Sequence, residues 1–201
     1  LVHPTTKEAH GTVANAVLGL YAARGIALDV HPCHRLDRNT TGLLLIAKRP
    51  EVQYQMAKQD TLTRTYLALI AGQLTPTEGT IDAPIARALP SIILRHVALD
   101  GKPARTHYET VWTDGKYTLL RLRLETGRTH QIRVHLAHLG HPLLGDDLYG
   151  CNTDEIARHA LHAARLSLRL PRTGELLTVE SPLPEDMARI AGTLSPVLSS
   201  K

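Results

Sequence analysis

The 201-residue chain contains no phenylalanine and a single tryptophan, Trp112, which argues against a binding platform of several stacked aromatic rings such as an RRM or OB-fold. Its two cysteines, Cys33 and Cys151, are far apart and form no CxxC pair, so neither a disulfide framework nor structural zinc is expected. Charged residues interrupt every apolar run well before membrane-spanning length, and no membrane association is expected. The opening Leu1-Val2-His3-Pro4 lacks the basic stretch and apolar run of a signal peptide, which makes the cytoplasm the expected compartment.

What is present is an ordinary globular composition, 43% hydrophobic and 21% charged. A formal net charge of +4 and a pI near 9.2 give a mild bias toward a polyanionic partner. The length suits one catalytic unit over residues 1–201, expected to be a monomer.

Apolar residues at helical spacing predict a helix over 12–23, with Thr12 at its cap and Gly25 at its end. Further helices are predicted over 50–59, 129–140 and from 184 to about 194. The run Leu43-Leu44-Leu45-Ile46 reads as a central strand buried on both faces. Strands are also predicted over 63–71, 91–98, 104–113, 117–126 and 164–171. Leu120, Leu122 and Leu124 alternate with Arg121, Arg123 and Glu125, giving one buried face and one wet, partly basic face. Residues 72–90 read as irregular connection and 193–201 as a frayed tail. Strands outnumber helices, and turns such as Asp100-Gly101 and Asp114-Gly115 separate them. The expected class is therefore α+β, a largely antiparallel mixed sheet with flanking helices.

Two segments are dense in functional groups. His34-Arg35-Leu36-Asp37-Arg38-Asn39-Thr40-Thr41-Gly42 puts a carboxylate and two arginines in a loop ahead of an apolar run. Gly127-Arg128-Thr129-His130-Gln131-Ile132-Arg133-Val134-His135 crosses from the alternating strand into a helix, where donors can gather around an anion or a polar base. The histidines 130, 135, 138 and 141 come without an HExxH arrangement or a carboxylate set, so no metal is expected. Asp146 and Asp147 read as turn-forming carboxylates, and Cys33 as a small buried residue.

These two segments, with Arg64-Thr65-Tyr66-Leu67-Ala68 between them and Leu161-His162-Ala163 followed by Ser181-Pro182-Leu183-Pro184 after them, resemble the RluA/RluD-type RNA pseudouridine synthases. The resemblance implies a pseudouridine synthase-like catalytic domain acting on RNA, rRNA more than tRNA. It implies Asp37 as catalytic nucleophile, Tyr66 as active-site tyrosine, Arg133 as the arginine pairing with Asp37, and Ile132 as the apolar residue against the target base. Arg35, Arg38, Thr129, His130 and Gln131 join Ile132 as expected substrate-binding residues. It further suggests a single catalytic domain that lacks the family's usual Lys-Pro-containing first strand and has no S4-like domain. Thr41 stands where the family more often has serine.

The chemistry agrees with those roles. Isomerising uridine breaks the N-glycosidic bond, turns the uracil and rejoins it through C5, with no net oxidation and no group donor, so no cofactor is expected. A carboxylate can serve as nucleophile, an arginine can aim it, and a flipped base needs a flat or apolar surface such as Tyr66 and Ile132 offer. Two other functions fit the same residues: a catalytically impaired RNA-binding module of this fold, and a glycosidase that releases the base to water.

Overall fold

The computed structural model describes residues 2, 4, 9–59, 62–91, 93–150 and 153–192. In chain order its first elements are α1 (Val13–Ala23), β1 (His31–Pro32), β2 (Thr41–Gly42), β3 (Ile46–Ala47), α2 (Pro50–Gln59), β4 (Thr63–Ala71), β5 (Glu78–Asp82) and β6 (Ile85–Arg87). There follow β7 (Arg95–Val97), β8 (Arg105–Thr113), β9 (Tyr117–Leu124), α3 (Gln131–His138), β10 (Leu161–Arg169), β11 (Leu176–Glu180) and α4 (Glu185–Ala191).

The architecture is α+β, as expected. A seven-stranded sheet runs in the order β11-β10-β4-β9-β8-β5, with β2 added in parallel beside β10 and every other pairing antiparallel. Its centre is β4 paired with β9, Tyr66 opposite Leu122 and Leu69 opposite Leu119. Residues 66–70 of β4 and 117–120 of β9 are buried in succession because both faces are covered there. Tyr66, Ala68, Ile70, Leu120 and Leu122 pack beneath Ile132 and Leu136 of α3, while Leu67, Leu69 and Leu119 pack with Met187 and Ala191 of α4. Each such leucine or isoleucine, fully removed from water, contributes roughly 1.5–3 kcal/mol. Tyr66 thus lies on the α3 side, opposite Leu67 and Leu69, as the strand period requires.

Local signals explain several boundaries. Thr12 and Asn15 form a reciprocal capping box at the start of α1. In the β8–β9 hairpin the Asp114 carboxylate accepts the amides of Lys116 (2.9 Å) and Tyr117 (2.7 Å). Helix α2 has the bounds expected for it. The wet face of β9 carries Arg121 paired with Glu109 (2.8 Å), and Arg165 of β10 pairs with Glu180 (3.4 Å). Two of the alternating arginines are therefore matched with carboxylates across the sheet.

Three expectations are corrected, and one strand was not anticipated. Residues 43–45 form no strand: beyond the bond from the Leu43 amide to β10, the amide of Leu45 bonds the His34 ring and its carbonyl accepts from Cys33, so this backbone closes a loop. The 72–90 region holds edge strand β5 and half of the β6–β7 hairpin, with Pro76 and Pro84 outside the strands. The strand expected over 91–98 shrinks to β7, whose partner is β6. Strand β11 was unforeseen because all five of its residues are exposed, leaving no burial pattern to read. The expected tail at 193–201, the last residues of the final predicted helix, and Cys151 lie outside the described residues.

Gly42 seats β2 against β10. Its φ is +105°, and a Cβ there would lie 2.2 Å from the carbonyl oxygen of Ala163. Gly42→Ala is expected to cost about 2–3 kcal/mol, lowering Tm by roughly 4–10 °C in thermal denaturation.

Candidate active site

Asp37 sits in a loop whose ends and middle are each tied down. The β1–β3 ladder closes its base, where His31 opposes Ala47 and Pro32 opposes Ile46. Inside that clip, Nε2 of His34 accepts the amide of Leu45 (3.0 Å), which leaves the ring proton on Nδ1, a buried position without a partner. Asp37 itself starts a tight turn, its carbonyl accepting the Thr40 amide (3.0 Å) around Asn39 at φ 70°. Beyond the turn, Thr40 Oγ1 bonds His159 Nε2 (2.8 Å), Thr41 Oγ1 bonds His162 Nδ1 (2.9 Å), and the Leu43 amide bonds Ala163 (2.9 Å). The motifs at 34–42 and 161–163 are thus two halves of one joint. The β10 strand bulges between Ala163 and Arg165, with Ala163 directly opposite Tyr66, which sets the joint beside that tyrosine.

Asp37 and Tyr66 line one cleft together with Ile132, Thr129, Gln131 and Arg35. The carboxylate is 16% exposed, so it is accessible yet mostly surrounded by protein, and Arg35 Nη2 lies 3.9 Å from it. Tyr66 is buried, and burial raises its pKa, with Arg64 opposing and Asp37 reinforcing the shift. A neutral phenol with an apolar ring is what this wall presents. The cleft also takes in residues outside the expected set: Arg64, Thr40, Arg128, Leu124 and Leu161. Arg64 was visible as a motif neighbour of Tyr66; the leucines carried no signal, because they look like any core residue of an alternating strand.

Arg133 departs from expectation. Its Nε and Nη2 close on the two oxygens of Asp146 at 2.8 and 2.7 Å, with Asp147 at 3.5 Å, and no ion pair joins it to Asp37. Burial works against the charge of Arg133, but the hydrogen bonds and charge of Asp146 outweigh it and hold the pKa above the ordinary arginine value. Asp146, pushed up by its own burial, is held below the usual carboxylate range by the same pair. Asp146 is also the turn-former expected, accepting the amides of Leu148 and Tyr149 at 3.0 Å each. Next to it, Gly145, at φ +67°, lets the 143–149 turn press against the carbonyl of Arg158.

The other residues of the corner divide by use. Gln131 is buried with its amide saturated: Oε1 accepts from Thr126 and the Arg128 amide, and Nε2 donates to the Arg105 carbonyl and Thr106. It locks β9 to α3 and has no polar atom left for a ligand. His135 is buried between Thr106 (2.9 Å) and the Ala83 carbonyl (2.9 Å). His130 adopts φ 58° at the start of α3. The Tyr149 phenol accepts the Arg95 amide (3.0 Å), which leaves its hydrogen for His130 Nδ1 (2.9 Å) and the imidazole proton on Nε2. The Arg133 guanidinium stands 5.1 Å from the centroid of the same Tyr149 ring. Arg38 is exposed and does not line the cleft.

A second cleft adjoins the first through Gly127, Arg128 and Thr129 and adds Arg87, Arg95 and Lys102 against one acid, Asp100. Among the described residues no group of three or more His, Cys, Asp or Glu is placed to hold a metal. No helix among them is long and apolar enough to cross a membrane.

A carboxylate, a phenol and an apolar side chain thus line one cleft beside a basic groove, and comparison with known proteins names the family. The model of the RNA pseudouridylate synthase family matches residues 4–138, and the chain belongs to that family. An uncharacterized RNA pseudouridine synthase of Bacillus subtilis, YjbO, is 42% identical over 93% of this chain and 67% of its own length. The ribosomal large subunit pseudouridine synthase D of Nitrosomonas europaea is 44% identical, over 94% of this chain and 58% of its own length. The chain thus spans roughly three-fifths to two-thirds of the length of such relatives. Among solved structures, human RNA pseudouridylate synthase domain containing 1 superposes with a TM-score of 0.70 at 28% identity, covering 85% of this chain and 74% of that one.

Removing one member of the buried pair should leave the other charge stranded. Asp146→Ala is expected to cost about 3–5 kcal/mol, and the double variant Arg133→Leu/Asp146→Leu less than the sum of the single changes, as read by denaturant unfolding. Burial, with Arg64 adding, lowers His34 to about 4; burial, with Arg133 adding, lowers His159 to about 4. Both rings take up protons more readily unfolded, where the ordinary value is 6.5, so stability is complete above about pH 6.5 and is lost as pH falls toward 4. Melting curves across that window should show the decline, and His159→Gln should flatten it.

Proposed function

We propose that this chain converts uridine to pseudouridine in structured RNA, with Asp37 as nucleophile and the target base flipped onto Tyr66 and Ile132. The observation that carries the reading is one cleft in which Asp37, Tyr66 and Ile132, drawn from three distant segments, converge. The C1′–N1 bond breaks, C5 bonds to C1′, the C5 proton leaves to solvent and N1 gains one. Atoms and electrons balance with no cofactor. The raised pKa of Tyr66 favours a stacking surface for the flipped ring over a base at neutral pH.

Arg35, exposed at the mouth beside Asp37, is suited to fill the stack that the base vacates, while Thr129 lies where both clefts meet. The basic groove of Arg87, Arg95, Lys102 and Arg128 suits the phosphates flanking the target. Arg133, held on Asp146, acts through the positive potential it adds near Asp37 and through the corner it stiffens; it does so without contacting RNA phosphate, being 5% exposed. The names of several relatives, ribosomal large subunit pseudouridine synthase D, favour rRNA over tRNA as substrate.

RNA transcribed with tritium at uracil C5 should lose label to water when incubated with the protein. Asp37→Asn should reduce release by roughly 10³-fold or more while RNA binding persists. Binding without release by the unaltered protein would make it an RNA-binding module, and free uracil would make it a glycosidase; either result removes the proposed isomerisation.

A further inference from the structure

Arg64 is the charged group of the cleft that the reading above leaves without a task. It lines the cleft with Asp37 and Tyr66, and among the described residues no hydrogen bond or ion pair engages its guanidinium. Its Nε is buried without a partner. Gly127, which lines the same cleft, makes room for it: a Cβ at that position would lie 3.2 Å from Nη1 and 3.6 Å from Nη2. A buried Nε–H without an acceptor is costly, and the guanidinium in the cleft lining can take an acceptor that arrives from outside.

The place of Arg64 decides which acceptor. The cations suited to phosphate, Arg87, Arg95 and Lys102, line the adjoining groove, whereas Arg64 lies in the wall of the cleft itself, near enough to Tyr66 to oppose the rise in its pKa. A base stacked on Tyr66 would bring its carbonyl edge, not its backbone, to that wall. When the C1′–N1 bond breaks, the bonding pair departs with uracil N1 and is shared with the O2 and O4 oxygens. Donors fixed where that charge develops stabilise the departing base without reorganising. Resting on the proposed isomerisation, we infer that Arg64 is a catalytic residue that donates N–H bonds to a uracil carbonyl oxygen and stabilises the uracil anion released at glycosidic cleavage. It transfers no proton in that step; the C5 proton is lost later, when C5 has joined C1′.

Single-turnover tritium release and RNA affinity, measured on the same substrate over a range of salt, test this. Arg64→Gln should slow release by roughly 10²–10³-fold, with affinity changed less than about 3-fold and its salt dependence unaltered. Arg64→Lys, which keeps charge without the planar fork, should recover part of the rate, and millimolar guanidinium should restore part of it to Arg64→Gln. If Arg64→Gln does not fold, as judged by its melting curve, Arg64→Lys carries the test and must still be slowed with affinity kept. An unchanged rate would overturn the inference. So would a loss confined to affinity with a salt slope reduced by about one, the mark of a phosphate contact. If the unaltered protein releases no tritium, the proposed function fails first; an active protein indifferent to Arg64 refutes this role alone.

Discussion

The buried pair of Arg133 with Asp146 is the constraint around which the site is assembled. A guanidinium in the first turn of α3, almost wholly removed from water, must meet a carboxylate in two-bonded geometry. Meeting it fixes the 143–149 turn beneath the helix, and the same carboxylate organises the amides that follow. Tyr149 then lies against the guanidinium, and its phenol connects β7 to His130. One ion pair thereby couples a helix, a turn, a hairpin and the histidine at the corner of the cleft.

The second joint works by another kind of force. The Asp37 loop has little regular structure, and strands β1, β2 and β3 contribute two residues each. Its rigidity comes from side chains satisfying backbone or one another: His34 on Leu45, Thr40 on His159, Thr41 on His162. Burial of His34 and His159 keeps these imidazoles neutral, so the loop carrying the candidate nucleophile is stapled by uncharged bonds beside a carboxylate. The arginines on the wet face of the sheet follow a third pattern, since Arg121 and Arg165 face carboxylates on neighbouring strands. The groove next to the cleft gathers Arg87, Arg95, Lys102 and Arg128 around a single acid, Asp100.

Much of this was legible in the residues. Apolar periodicity in the residues located α1, β8 and β9, a proline suited to a first helical turn located α2, and an apolar run located β4. The segments holding Asp37, Tyr66 and Ile132 were found from local chemistry and motif resemblance, and the cleft unites them. Strands with weak or no burial contrast, β5, β6 and β11, were not legible, and the apolar run at 43–46 was misread because a half-buried loop and a buried strand have the same composition.

The sequence by itself determined the class of fold, the family and the residue types available for chemistry, because these depend on periodicity and on motifs contiguous along the chain. Only the tertiary structure decided partners. Asp146 was read as a turn residue and Arg133 as the companion of Asp37, yet the fold pairs the first two with each other. Gln131 was read as a ligand contact, and the fold spends all of its hydrogen-bonding capacity internally. Arg64 was read as a neighbour of Tyr66 in a motif, and the fold leaves it in the cleft without an acceptor. Hydrogen bonds and ion pairs are settled by ångström-scale approach between distant segments, and residue spacing along a chain does not encode that approach.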